Sequence, residues 1–471
     1  CGKEHSDVAL EASHKAVVML QNDGILPLDP AKCGKVLVLG DLAEENLADW
    51  YSGSPVETNA PLESIKNIVG EETVSIVGTH DHCAIFNEEE NGWLCVDKDG
   101  KVSYDSNEDS RAIFEEIDWG YNSVSYRNVD SKKYLNITRE RELGCTGDDV
   151  WGWFTHELFL RDIDTGAFLP HGHLYGDRYN SEQKDELGVR ISKLRREILT
   201  DGMAPAIDAA VNADTILVVL GNHTLINGRE CFDRPSIAFP PRWTKLLERL
   251  AAVNKNVVLT IIAGYPFGFA EQSKFVRAVL YTTHGEQYVG RAVADTLFGR
   301  NNPAGRLSMT WYLSDDDLPD INDYDIINSP RTYMYFDKPV QYPFGYGLSY
   351  TSFEYKDISA KQSEETSTEN CGGGGYTISC VVRNCGDRDG DEVVQLYATF
   401  NGVSVKAPIK QLCGFKRINL APDEKVTVEF FVPAEELRLF DEKANAFSII
   451  PESIVFAIGA SSADIRLTVT L

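Results

Sequence analysis

A loop rich in ionisable side chains follows a strongly apolar segment near the middle of the chain. The segment is Leu-Val-Val-Leu-Gly at residues 217–221, and Glu230, Asp233 and Arg234 come shortly after it. Such a run is typical of a strand buried on both faces, and ligands of open α/β sheets collect where such strands end. A carboxyl group at that edge is well placed to exchange protons with a substrate. The sequence therefore predicts acid/base chemistry in this loop.

The polar residues of this loop have different expected roles. An Arg next to a carboxylate keeps that carboxylate ionised, so we expect Asp233 and Arg234 to pair and stabilise the loop rather than to transfer protons. Asn222, directly after the apolar segment, and Arg229, directly before Glu230, are candidate contacts to a substrate.

Clusters of histidine elsewhere in the sequence give weaker signals. His80, His82 and Cys83 are close together, and so are His171 and His173, but neither set carries a full pattern of metal ligands. The sequence therefore predicts no metal site and no cofactor.

Two further groups of residues have both a structural and a functional interpretation. The acidic run at residues 387–392 is similar to a calcium loop, but its glycine is out of place and we expect a hairpin turn. Aromatic side chains could stack on sugar rings or fill a core, and the core is their more frequent use. The tryptophans concerned are Trp93, Trp119, Trp151 and Trp153.

The elements that would position the loop alternate between short apolar runs and helical patterns. Runs rich in Val, Ile and Leu occupy residues 35–40, 73–78, 215–221, 256–264 and 277–283. Helical spacing of apolar residues occurs at 8–20, 61–69, 243–253 and 290–298. Strands that alternate with helices form a mostly parallel sheet with helices on both faces. The sequence therefore predicts an α/β sandwich whose strands are buried on both faces.

The alternation stops between residues 80 and 195, where aromatic residues, Gly and Asp become frequent. Segments 84–96, 124–137 and 158–169 share a short strand pattern, a polar turn and an aromatic–Leu pair. Units of about 40 residues suit a β-trefoil, whose repeats bury a shared core only together. Ordinary hairpins would give the same spacing, so the sequence predicts an inserted all-β domain and leaves both topologies open.

A polar segment at residues 361–375, which ends in four glycines, precedes a final region of β alternation. From residue 376 onward, strand patterns and turn signals are typical of a β-sandwich of about 100 residues. The predicted domains are therefore an α/β sandwich at 1–79 and 196–352, an insert at 80–195, and a β-sandwich at 353–471.

Several separated motifs, among them Glu230-x-x-Asp233-Arg234, point to one known family. The motifs lie at residues 12–28, 230–240, 295–312, 331–336, 342–350, 392–397 and 412–417. Together they resemble glycoside hydrolase family 3, the retaining exo-β-glycosidases of the β-glucosidase and β-xylosidase type. The resemblance covers the family's α/β sandwich domain and its fibronectin-III-like module.

The resemblance implies that Glu230 donates a proton to the departing oxygen and then acts as the base that activates water. It also implies an aspartate nucleophile on a (β/α)₈ barrel, which this sequence lacks. Ser6-Asp7 is similar to the family's nucleophile dipeptide, but it opens a helical pattern and we interpret it as structural. We therefore expect the barrel outside this chain, and near-inactivity of the chain alone.

Two functional hypotheses follow from the resemblance. The first is part of a retaining exo-acting β-glycosidase, a β-glucosidase or β-xylosidase. Its substrates would be the terminal non-reducing β-linked sugars of oligosaccharides or of aryl and alkyl glycosides. The alternative is a non-catalytic carbohydrate-binding or scaffolding protein derived from such an enzyme.

Composition limits the range of partners. The chain has 45 basic and 72 acidic side chains and a formal charge of −27, so it lacks the basic surface that binds nucleic acid. No apolar run reaches the length of a membrane span, so we expect no membrane partner. The ten cysteines show no two-residue gap of a zinc or redox motif. They favour a reducing, cytoplasmic compartment over secretion, and localisation stays open.

Overall fold

The elements of the chain follow the predicted order of α/β, all-β, α/β and all-β regions. A computed structural model describes residues 2–48, 51–53, 55, 57–140, 142–151, 155–161, 168–170, 194–228, 233–363 and 374–471. The helices are α1 (Lys3–Ala16), α2 (Pro61–Val69), α3 (Met203–Val211), α4 (Pro241–Val253), α5 (Val289–Leu297) and α6 (Thr332–Tyr335). The strands are β1 (Val18–Asn22), β2 (Val36–Leu39), β3 (Val74–Ile76), β4 (Asp81–Asn87), β5 (Gly92–Val96), β6 (Val102–Asp105), β7 (Phe114–Gly120), β8 (Ser123–Asn128), β9 (Tyr134–Ile137), β10 (Leu143–Gly147), β11 (Phe159–Arg161), β12 (Phe168–Pro170), β13 (Leu194–Thr200), β14 (Thr215–Gly221), β15 (Val257–Ile262), β16 (Ala278–Thr282), β17 (Phe353–Ser363), β18 (Gly375–Asn384), β19 (Gly390–Asn401), β20 (Gln411–Leu420), β21 (Lys425–Pro433), β22 (Leu439–Asp441), β23 (Ala446–Ile449), β24 (Ser453–Gly459) and β25 (Ile465–Thr470).

The predicted α/β sandwich is built on a six-stranded sheet in the order β1-β16-β15-β14-β2-β3. All neighbouring strands are parallel except β1, which runs antiparallel to β16. Ile216, Val218 and Leu220 of β14 pack toward α3 and α4, while Leu217 and Val219 pack toward α2 and α5. Complete burial of each such side chain contributes about 1.5–3 kcal/mol. The central strands are therefore a rigid base for the loops that follow them.

The first helix begins and ends earlier than the sequence predicts, because a strand takes over the last residues of the predicted range. The helix predicted over 8–20 ends at Ala16, and Val18–Asn22 forms the edge strand β1. Val18 and Leu20 join one core of the sandwich, while Val17 and Met19 join the other. This two-residue period, completed by pairing with β16, outweighs the helical spacing. At the opposite edge, β3 has no buried residue, so the predicted burial on both faces is wrong for this strand.

The inserted all-β region forms a single antiparallel sheet that curls on itself. Its main path runs β10-β9-β8-β7-β4-β5-β6, with β11, β12 and β13 attached beside it. A bridge between Lys101 and Gly144 joins the two ends of the path. Entry strand β4 and exit strand β13 pair side by side, and β13 extends to Thr200, beyond the predicted limit at 195. The described strands follow one continuous path rather than three equivalent units, so the β-trefoil is not confirmed.

The last region is a β-sandwich, as predicted. A sheet of β17-β18-β21 packs on a sheet of β20-β19-β24-β25, and Ile378, Leu396 and Phe456 are completely buried between them. The acidic run at 387–392, predicted to be a hairpin turn, instead contains the connection from β18 to β19. The prediction was wrong because these strands belong to different sheets.

A buried ion pair joins the β-sandwich to the α/β sandwich. Arg306 donates from Nη2 to Oε1 of Glu392 at 2.9 Å. Gln395 donates from Nε2 to the carbonyl oxygen of Gly345 at 3.0 Å. A Cβ on Gly345 would lie 2.0 Å from Oε1 of Gln395, so only glycine fits this close approach. Three of the motifs seen in the sequence thus meet at the contact between the domains.

Candidate active site

Asn222 ties together the ends of three parallel strands. It directly follows β14, and its Oδ1 accepts hydrogen bonds from the backbone N–H of Gly264 at 3.0 Å and from Nε2 of His284 at 3.1 Å. Its Nδ2 donates to the carbonyl oxygen of Asn227 at 3.2 Å. Gly264 and His284 follow β15 and β16, so one buried amide fixes the carboxyl edge of the sheet. This geometry makes Asn222 an organiser of the loop, and its contact to a substrate stays a prediction.

His223 is a buried neutral group in the first turn of the loop. Its Nδ1 accepts a hydrogen bond from the backbone N–H of Leu225 at 3.2 Å. Burial, with a smaller contribution from nearby His284, lowers the pKa of His223 to about 3. The imidazole therefore stays uncharged at neutral pH and holds the turn as an acceptor. Its ring meets the edge of Trp119 with the centroids 4.9 Å apart.

Tyr265 contacts both of the described ends that flank residues 229–232. Gly228 has a φ of +113°, and a Cβ there would lie 2.6 Å from Cε1 of Tyr265. On the other side, the guanidinium carbon of Arg234 lies 3.5 Å from the centre of the Tyr265 ring, a cation–π contact. Burial lowers the pKa of Arg234 and raises the pKa of Tyr265.

Asp233 interacts with Arg234 through the backbone. Its Oδ1 accepts a hydrogen bond from the backbone N–H of Arg234 at 2.7 Å, while the guanidinium turns to the aromatic ring. Among the described residues, the two side chains form no salt bridge. Further along, Asp315 accepts hydrogen bonds from Oγ of Ser236 at 2.5 Å and from the backbone N–H of Ile237 at 2.8 Å. The second half of the loop is therefore anchored as firmly as the first.

The structure brings Asn222, Asp233 and Arg234 to one region, but Arg229 and Glu230 lie outside the described residues. Sequence reasoning missed His284 and Tyr265. Both follow strands of the same parallel sheet, so the rule that selected the loop after β14 would also have found them.

A cavity of about 610 Å³ lies between the sheet and the insert, and Trp119 lines it. The sandwich contributes Asp41, whose Oδ1 lies 3.3 Å from Nε2 of His80, the first residue of the insert. The insert contributes Arg127 and Glu115, which form an ion pair at 2.7 Å, together with Trp119. The cavity walls thus come from both domains and combine charged side chains with apolar ones.

The remaining candidates from the sequence have different surroundings. No group of three or more His, Cys, Asp or Glu in the described ranges could hold a metal ion. Trp119 is buried, whereas Trp151 is exposed and Trp93 packs edge-on against Phe86. His171, His173 and Trp153 lie outside the described residues.

No helix in the described part of the chain has the length and apolar character of a membrane span.

Comparison with known proteins assigns most of the chain to two family models. Residues 17–350 match the glycosyl hydrolase family 3 C-terminal domain, and residues 392–462 match a fibronectin type III-like domain. A xylan 1,4-β-xylosidase from Xylanibacter ruminicola is 34% identical over 528 residues, covering 100% of this chain and 58% of the relative. A β-glucosidase from Rhizobium radiobacter is 26% identical over 520 residues, covering 97% of this chain and 61% of the relative. The chain thus spans about three fifths of the length of these relatives.

Solved structures show the same fold. The β-glucosidase from Kluyveromyces marxianus in complex with glucose superposes with a TM-score of 0.68 at 21% identity, covering 100% of this chain and 62% of that one. A β-glucosidase from Streptomyces venezuelae in complex with D-glucose gives a TM-score of 0.68 at 21% identity, with coverage of 99% and 59%.

Proposed function

Because this chain belongs to glycoside hydrolase family 3, we propose that it is part of a retaining, exo-acting β-glycosidase. The proposed substrates are β-glucosides or β-xylosides cleaved from their non-reducing end. Relatives named as a β-xylosidase and a β-glucosidase support this substrate class. The proposed domains are those predicted from the sequence, 1–79 with 196–352 for the α/β sandwich, 80–195 for the insert and 353–471 for the fibronectin-III-like module, with the last strand of the insert extending to Thr200.

In this proposal, Glu230 is the general acid and base. The observation that carries it is the position of Glu230 in the loop after the central strand β14, whose described flanks are fixed by Asn222 and by Asp315. A carboxyl group gives its proton to the glycosidic oxygen as the bond from C1 to that oxygen breaks. Its carboxylate then takes a proton from the water that attacks C1.

The second carboxyl group is proposed to lie on a (β/α)₈ barrel that docks against the loop. Retaining hydrolysis needs a nucleophile about 5 Å from the acid, across the scissile bond. Ser6 and Asp7 lie within helix α1, which agrees with their interpretation as structural residues. The relatives that extend well beyond the matched region have room for such a barrel.

Substrates with different leaving groups test the role of Glu230. In the parent protein that carries the nucleophile, Glu230→Ala should lower kcat/KM for a methyl β-glycoside by about 10²–10⁴-fold, the usual contribution of a general acid. For a dinitrophenyl β-glycoside, kcat/KM should change little, because that leaving group departs without a proton. Azide should restore turnover by replacing the base-activated water.

Asp233→Ala is the matched control, since it removes the other carboxylate of the same motif. We expect it to lower kcat/KM by the same factor for both substrates. A leaving-group-dependent loss in Asp233→Ala, but not in Glu230→Ala, would contradict the assignment. Sugar binding without any turnover would support the alternative of a non-catalytic carbohydrate-binding protein.

A further inference from the structure

The insert contacts the loop just before residues 229–232. Asn227 is buried, and its Nδ2 donates a hydrogen bond to the carbonyl oxygen of Trp119 at 2.7 Å. The indole of Trp119 packs against His223 and is held by a hydrogen bond from Nε1 to Oγ of Ser125 at 3.0 Å. The pairing of β7 with β8 shifts register between Asp118 and Gly120, an irregularity of the kind that re-aims a side chain.

An apolar contact strengthens this attachment. Ile226 is completely buried in a cluster whose other members all belong to the insert. Burial of such a side chain contributes about 1.5–3 kcal/mol. The cluster consists of Ile117, Trp119, Tyr134, Val150, Leu158 and Ile226. The first half of the loop is therefore buried against the core of the insert through Ile226.

The insert contacts the loop a second time, after residues 229–232. The phenol of Tyr121 donates a hydrogen bond to the carbonyl oxygen of Ala238 at 3.0 Å. Burial raises the pKa of Tyr121, so the phenol keeps the proton that it donates. A Cβ on Gly120 would lie 2.8 Å from Cγ of Pro240, so glycine permits a close approach here. Residues 119–121, at the end of β7, thus contact the loop both before and after residues 229–232.

We propose that Trp119 and Tyr121 are positioning residues, through which the insert holds the loop that carries Glu230. This inference rests on the proposed function. The described parts of this connection, residues 222–228 and 233–240, contain no helix or strand, and a connection of this length would be mobile without such anchors. The contacts at Asn227 and Ala238 confine its ends. Because a displacement of about 1 Å costs about 10²-fold in rate, anchors of this kind control proton donation.

Conservative variants of the parent protein test the proposal. Tyr121→Phe and Trp119→Phe should each lower kcat/KM for a methyl β-glycoside by about tenfold, and for a dinitrophenyl β-glycoside by less than about twofold. Loss of folded protein would lower both values equally. Tyr104→Phe and Trp93→Phe are matched controls, because they make the same substitutions on β6 and β5 of the insert. We expect wild-type ratios for both controls.

Equal losses on the two substrates, or a loss as large in the controls, would overturn the positioning role. Glu230→Ala is measured in parallel, so that failure of the positioning role can be told from failure of the proposed function. If the proposed function is wrong, the loss of kcat/KM in Glu230→Ala no longer depends on the leaving group. Hydrogen exchange gives a readout that needs no activity. Amides in 233–240 should exchange faster in Tyr121→Phe than in Tyr104→Phe, and unchanged exchange would refute the proposal whatever the reaction is.

Discussion

Replacing Arg306 by Met should lower the free energy of unfolding by about 3–5 kcal/mol, because it leaves a buried carboxylate without its partner. The side chains of Arg306 and Glu392 are only 9% and 5% exposed, and their atoms lie 2.9 Å apart. In the variant, Oε1 of Glu392 keeps, among the described residues, one hydrogen bond, from the backbone N–H of Val393 at 2.8 Å.

An exposed ion pair provides the control. Arg383 and Asp423 lie 2.7 Å apart, but their side chains are 45% and 81% exposed. Arg383→Met should therefore cost less than about 1 kcal/mol. Urea denaturation, followed by tryptophan fluorescence, measures both variants under the same conditions.

The double variant Arg306→Met/Glu392→Leu completes the test. Replacing both members of a buried pair by apolar residues removes the unpaired charge, so its cost should fall to within about 1 kcal/mol of wild type. The reasoning is refuted if Arg306→Met costs no more than Arg383→Met. It is also refuted if the double variant costs the sum of the two single changes.

Two further predictions concern the loop. His223 has a pKa of about 3 in the folded chain, against 6.5 for an unperturbed histidine, so the unfolded state binds the proton first and stability falls as the pH drops below 6.5. Urea denaturation should show that wild type loses about 2 kcal/mol of its free energy of unfolding at pH 5, whereas His223→Gln does not. The same pH dependence of the free energy of unfolding in both proteins would contradict this prediction. Gly228→Ala combines the backbone strain of a positive φ with a steric clash against Tyr265. Gly24→Ala is its control, because Gly24 has a φ of +101° and open space around it, so that only the strain remains. Thermal denaturation should show Gly228→Ala to be the less stable by about 1–3 kcal/mol, and equal values would exclude the steric effect.

The parallel strands were predictable because each is a short apolar run that needs no knowledge of its partners. The edge strand β1 was not, because Val17 to Leu20 satisfy a helix and a strand equally well. Its choice depends on β16, more than 250 residues away in the sequence. The topology of the insert was hidden for the same reason, since β4 pairs with the distant β13.

The sequence predicted where the candidate site lies, but not which residues hold its loop in position. The apolar run of β14 located the loop, and the family motif selected Glu230. No local pattern marks Trp119 as a contact of Asn227, because the two are brought together only by the docking of the insert. Likewise, nothing in the sequence sends Arg234 to the ring of Tyr265 rather than to its neighbour Asp233.

The pairing of β4 with β13 makes the insert a detachable module. His82 and Thr200 are opposite one another, so the chain leaves the sandwich and returns to it at neighbouring points. Without the intervening residues, a short link would join β3 to α3 and restore an ordinary βα unit. A single genetic event could therefore add or remove the whole module while the order of the parallel strands stayed the same.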